Sequence, residues 1–117
     1  MKNLIVLTVL SLLGFKLMAQ QDIKGVYDIG EENTKVEIYD KEGSIWGKIV
    51  SSDNEKVKIG TDILRRFTYK DNKWVGTMYA IRKKKEMDAE LVNEDEILNV
   101  IIHVGFITKN LYWKKQE

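Results

Sequence analysis

The 117-residue chain has no cysteine, no proline and a single histidine. Without cysteine there is no disulfide, although an exported protein could use one. There is also no thiol to carry a lipid at a mature N-terminus and no thiolate for catalysis or metal binding. Without proline, an exposed sheet edge must be guarded by other means, and lysine is the residue at hand. The lone His103 has no second histidine or cysteine beside it for a transition-metal site. No Gly-x-Ser-x-Gly elbow and no phosphate-cradling glycine loop is present. Charge of one sign is lacking too: 19 basic residues face 18 acidic ones. That balance leaves no electrostatic footprint for nucleic acid or for an anionic membrane.

Long apolar runs are equally scarce. Residues 4–15 form the one uncharged stretch of note, shorter than the roughly 20 residues a membrane span needs. It follows Met1-Lys2-Asn3 and precedes Lys16-Leu17-Met18-Ala19 and Gln20. A positive start, a short apolar run and a small residue before a polar one describe a secretory signal peptide. We read residues 1–19 as that peptide, cleaved after Ala19. Residues 20–117 then form a single domain, exported to a bacterial periplasm or secreted, with no stable membrane span left after cleavage. Without Lys2 and Lys16, 17 basic residues face 18 acidic ones. A chain this short has a thin core, so large side chains must fill it.

What is present is strand pattern. Residues 35–39 alternate, placing Val36 and Ile38 on one face. Glu42-Gly43 supplies a turn, and residues 44–50 return with Ile45, Gly47 and Ile49 together and Trp46, Lys48 and Val50 opposite. After a polar loop over 51–56, Val57-Lys58-Ile59 reads as a short strand. Residues 61–67 are ambiguous between one helical turn capped by Thr61 or Asp62 and a continuing strand; the preferred reading is a short turn or helix leading into Phe67-Thr68-Tyr69. Asp71-Asn72 is a tight turn. Residues 73–81 form a strand with Trp74, Gly76 and Met78 on one face, Gly76 marking a bulge or bend. Arg82-Lys83-Lys84-Lys85 is expected as a solvated tip between strands. Residues 86–92 pair back with Met87, Ala89 and Leu91 together, and Asn93-Glu94-Asp95 turns the chain. Residues 96–104 carry Leu98, Val100, Ile102 and Val104 on one apolar face, with Ile97, Asn99, Ile101 and His103 on the other. The last strand covers 107–114, near a turn at Lys109-Asn110. About eight strands with short connections predict an all-β fold: a small antiparallel up-and-down β-barrel, whose closure removes exposed edges.

Gly25-Val26-Tyr27 resembles the Gly-x-Trp opening of lipocalin-like barrels. In those barrels the first-strand aromatic closes one end beneath a basic residue of the last strand. The resemblance implies a closing pair of Tyr27 and Lys114, the lysine stem covering the ring. The ordered set "KVEIYDKEGSIWGKIV", "GTDILRRF", "KWVGTMY" and "LYWKK" resembles a bacterial family of small exported proteins, domain-of-unknown-function family 2147, over nearly the whole of residues 24–115. Val75-Gly76-Thr77 and Ala80-Ile81 stand where that family tends to have Gly-Gly and Asp-Pro. The resemblance implies a lipocalin-like barrel and export; it implies no activity.

Three function classes follow. A binding module would hold a small apolar or amphipathic ligand in a cavity lined by Trp74, Met78, Met87, Leu91, Val100 and Ile102. An interaction protein would have a filled barrel and bind another envelope protein, or itself, through an exposed apolar face including Ile97, Ile101 and His103. An enzyme would need a concave site where His103 meets a carboxylate and a hydroxyl. No catalytic motif is found, and neither cofactor nor metal is implied. Side chains alone can fill an eight-stranded barrel, so the same aromatic and methionine residues also suit an ordinary core.

Overall fold

The computed structural model describes residues 22–116, so the expected signal peptide lies outside the described residues. Eight strands follow one another: β1 (Gly25–Asp28), β2 (Lys35–Lys41), β3 (Ser44–Ser51), β4 (Asp62–Lys70), β5 (Lys73–Ala80), β6 (Lys85–Glu94), β7 (Ile97–Val104) and β8 (Ile107–Lys115). Each pairs antiparallel with its sequence neighbours, and β1 pairs with β8, closing the barrel. No helix occurs among the described residues. The expected up-and-down barrel is the fold.

Tight turns set the hairpin registers. Lys41 pairs with Ser44 across Glu42 and Gly43, both at positive φ (52° and 82°). Lys70 pairs with Lys73 across Asp71 and Asn72, again both positive (54° and 66°). Two positive φ values in a two-residue loop give the turn whose twist matches that of the flanking strands. The β6–β7 turn falls at Asp95-Glu96, two residues later than the pattern suggested, and strand β6 runs through Asn93 and Glu94. The β7–β8 turn falls at Gly105-Phe106. Lys109 and Asn110, expected at a turn, instead lie mid-strand opposite Ile102 and Ile101. Gly105, at φ 60°, takes the turn conformation that a side chain resists.

Two further expectations are corrected. Val57-Lys58-Ile59 is loop rather than strand; Val57 packs on the core while Ile59 is half exposed. Residues 62–67 are strand β4, with neither a helical turn nor a cap at Thr61 or Asp62. Three steps along β4, Leu64 to Phe67, span two on β3, Gly47 to Ile45, and two steps from Asp62 to Leu64 match one on β3. These bulges turn Ile63, Leu64 and Phe67 all inward, where all three are buried. Arg66, in the second bulge, sits at φ 56°.

The core is the barrel's interior. Val36, Ile38, Ile45, Ile49, Leu64, Phe67, Ala89, Leu91, Leu98, Val100 and Ile102 share it with Tyr27, Trp74 and Trp113. Gly76 is needed on β5 because the bulged β4 lies over it. A methyl there would stand 2.7 Å from the Phe67 ring and 2.8 Å from the Arg65 carbonyl. The irregularity expected at Gly76 thus belongs to the neighbouring strand.

Candidate functional site

The six residues proposed as ligand contacts all lie on the inward face. Trp74, Leu91 and Val100 form one row across β5, β6 and β7; Ile102 pairs with Ala89 in the next, and Met78 with Met87 beyond it. This row order runs toward the end of the barrel that carries the β1–β2, β3–β4, β5–β6 and β7–β8 connections. Leu91 and Val100 have no accessible surface, so no void wide enough for a water molecule touches them. Trp74 and Ile102 are buried, and Tyr69 meets the Trp74 ring edge-on at 5.1 Å between centroids. Leu64 and Phe67 from the β4 bulges occupy the space above Gly47 and Gly76. Met78 and Met87 are half-buried and pack against the core with Ile29, Ile81, Val57 and Val104. They are the two candidates with surface left to offer.

The mouth beside these methionines is bridged. Arg82 of the β5–β6 turn reaches Glu32 of the β1–β2 loop at 3.5 Å. The Asp53 amide donates to the Glu32 carbonyl at 2.9 Å, tying the β3–β4 loop to the same point.

At the opposite end, Tyr27 is buried and its hydroxyl donates to the Ile23 carbonyl at 2.9 Å. Burial pushes its phenol pKa up. Lys114 does not lie over that ring. Strand alternation sends Trp113 inward and Lys114 outward, where it pairs in register with Asp28. The residue opposite Tyr27 is Lys115, whose stem passes close to Gly25; a methyl on Gly25 would come within 3.2 Å of Lys115 Cε. Trp113, buried on the same side, is the aromatic of the last strand that joins Tyr27 in the core.

The remaining aromatics lie outside. Tyr39, Trp46 and Tyr79 each face a cation: Lys48 stands 4.8 Å from the Tyr39 ring, Lys41 4.3 Å from Trp46 and Arg65 4.4 Å from Tyr79. The Tyr39 hydroxyl donates to Asp62 at 2.6 Å. Partial burial and that carboxylate push its pKa up to about 12. Alternation alone does not tell the wall from the interior at these aromatic positions. The β2–β5 outer wall is therefore a lattice of rings and cations, in which the Trp46 indole nitrogen is buried without a hydrogen-bond partner.

His103 sits on the outer wall of β7. Its Nε2 lies 3.4 Å from Glu90 Oε1 and its Nδ1 lies 3.3 Å from the Thr108 hydroxyl. The three groups an enzyme would need do meet, but on a convex, exposed face with long contacts. Glu90 is held more tightly by Lys73, at 2.6 Å. That ammonium, with His103 adding to it against partial burial, keeps the Glu90 carboxyl below the usual carboxylate range. A carboxylate so engaged orients the imidazole weakly, and the convex wall offers no enclosure for a substrate.

A cleft of about 470 Å³ lies along the β1–β8 seam, lined by Asp28, Glu96, Lys114, Lys115 and Gln116. Its lining is charged and polar, unlike the apolar cavity the sequence suggested. Among the described residues no group of three His, Asp or Glu side chains is placed to hold a metal ion. The β7–β8 wall differs from the rest of the exterior. Ile97 is 40% exposed opposite Lys114, Tyr112 is 60% exposed opposite Asn99, and half-buried Ile101 follows opposite Asn110; Val75, also exposed, lies two strands away on β5. Comparison with protein-family models, with curated proteins and with solved structures returned no match.

Proposed function

We propose that the protein is an exported interaction module, a barrel with a packed interior that recognises a protein partner with its outer β7–β8 wall. The observation that carries this reading is the contrast between the two faces of β7. Leu98 and Val100 point inward with no accessible surface, whereas Ile97 and, diagonally across on β8, Tyr112 stand exposed, with Lys114 opposite Ile97 and Asn99 opposite Tyr112. Leu64 and Phe67 pressed against Gly47 and Gly76 support a filled interior. Solvated apolar side chains within diagonal reach of one another on a sheet wall favour contact with another surface. Tyrosine suits such contacts, since it adds apolar area with a polar tip. A second copy of this chain is the partner to test first.

A second reading is the carrier of a small apolar or amphipathic ligand. Half-buried Met78 and Met87 at the bridged mouth favour it, because methionine adapts to varied apolar shapes. Native mass spectrometry of residues 20–117, purified without detergent, separates the two. A dimer that reverts to monomer in Ile97→Asp or Tyr112→Ser supports the wall reading. A monomer with added mass, released on denaturation as a lipid-like molecule, supports the carrier and overturns the first choice.

A further inference from the structure

The β5–β6 and β7–β8 turns are neighbours at one end of the barrel, since alternate hairpins of an up-and-down sheet turn at the same end. The first carries Arg82, Lys83 and Lys84, and Lys85 opens the strand that follows; all four are exposed. Arg82 makes a 3.5 Å contact with Glu32 while remaining largely in solvent, and Lys83, Lys84 and Lys85 have no ion pair among the described residues. The second turn carries Phe106, which is fully exposed, followed by Ile107, which is 62% exposed. Lys109, also exposed, lies two residues further on β8. The fold does not require Phe106: the turn is closed by Gly105 at φ 60° and by the Val104–Ile107 pair. A polar residue would serve the hairpin equally well.

We propose that this half of the barrel end docks on an anionic lipid surface, with Phe106 and Ile107 entering the interface and Arg82 to Lys85 meeting the headgroups. An apolar tip with a basic collar is the arrangement by which peripheral proteins hold such a surface. The convex shape decides between a bilayer and an acidic protein. A protein would need a matching socket for a projecting phenyl ring, whereas a fluid interface opens around it. Of the acidic residues near this end, Glu31, Glu32, Asp53 and Glu55 belong to the β1–β2 and β3–β4 loops, where Glu32 meets Arg82; Glu86 is occupied by Arg65 and Arg66, and Asp88 lies lower on β6, opposite His103. Lys83, Lys84 and Lys85 are left as the cations that the tip presents beside Phe106. The proposal uses the turns and not the β7–β8 wall, so it stands whether or not that wall binds a protein.

The test is co-sedimentation of residues 20–117 with vesicles. The apolar stretch at residues 4–15 is omitted because it would partition into lipid itself, and the strand ladder closes entirely within residues 22–116. The protein is expected to sediment with phosphatidylglycerol mixed into phosphatidylcholine, not with phosphatidylcholine alone, and to be released by salt. Each basic side chain near an anionic surface contributes roughly fivefold in partition. Lys83→Glu with Lys84→Glu should therefore reduce binding by more than an order of magnitude. Phe106→Ser should reduce it by roughly tenfold while leaving the fold intact. Lys70→Glu, at the opposite end, makes half of that charge change and should be nearly silent. No sedimentation with the anionic vesicles at low salt would overturn the proposal, as would Phe106→Ser and the double lysine variant binding like the parent.

Discussion

Gly76 and Gly47 mark where single atoms decide whether this barrel packs. At Gly76 an added methyl meets the Phe67 ring and, more seriously, the Arg65 carbonyl, which belongs to the bulged backbone and cannot step aside cheaply. At Gly47 the nearest atoms belong to the Leu64 side chain, Cδ1 at 2.9 Å with Cβ and Cγ at 3.0 Å. Overpacking costs roughly 1–3 kcal/mol. Gly76→Ala is therefore expected near the top of that range and Gly47→Ala below it, read from urea midpoints; the reverse order would mean that the bulge yields more readily than Leu64. Tyr39 offers a second residue-level check. Folding raises its pKa from 10 to about 12, so the folded state holds the phenolic proton more tightly than the unfolded chain. Its contribution to stability is full below pH 10 and is lost as pH rises through 10 toward 12. Absorbance titration should show Tyr39 ionising late alongside Tyr27, whose burial also raises its pKa, and Tyr39→Phe should diminish the late step by one phenol. An unchanged titration would show that Asp62 does not hold the hydroxyl in solution.

At the scale of the element, β4 shows what alternation can and cannot reveal. Ile63, Leu64 and Phe67 are spaced as one face of a helix would be, and a regular strand cannot bury all three. The bulges reconcile the spacing with a strand, but nothing local in Thr61 to Phe67 announces them; the constraint comes from β3 and β5 on either side. The regular strands were legible because each has one apolar face, and the inward rows of β5, β6 and β7 follow it. Whether those rows enclose a void was not legible, because it depends on how far Leu64 and Phe67 reach across. Nor could spacing choose between Lys114 and Lys115, which differ only in the face that Trp113 assigns them. Turn chemistry makes a prediction of its own. Glu42 occupies a left-handed position that asparagine tolerates better. Glu42→Asn should stabilise the β2–β3 hairpin by about 0.5 kcal/mol, read as a raised urea midpoint with an unchanged m-value. A lowered midpoint would mean that the carboxylate does something there that its backbone does not disclose.

For the molecule as a whole, stability is unevenly distributed around the ring. Strand β7 pairs with β8 over its full length, eight residues from Ile97 to Val104, whereas β1 meets β8 at Tyr27–Lys115 and Asp28–Lys114 alone. Beyond those pairs the seam gains the Gln116 amide, which donates to the Val26 carbonyl at 2.8 Å. Side chains do most of the holding there: Ile23, Tyr27 and Trp113 are each nearly inaccessible to solvent. A seam with few ladder bonds and a buried aromatic plug should open before the rest of the sheet, by release of β1 from β8. Native-state hydrogen exchange would read this directly. Amides of β1 and of Lys115 and Gln116 are expected to exchange through a sub-global opening, while those of Ala89, Leu91 and Val100 wait for global unfolding. Tyr27→Phe, which removes the hydroxyl bonded to the Ile23 carbonyl, should cost about 1 kcal/mol and speed exchange at the seam more than in β6 and β7. Trp113→Ala should cost roughly 3–5 kcal/mol, because it leaves a large void beside Tyr27. Equal protection around the whole ring would show that the plug, rather than the ladder, sets the cooperativity of the barrel.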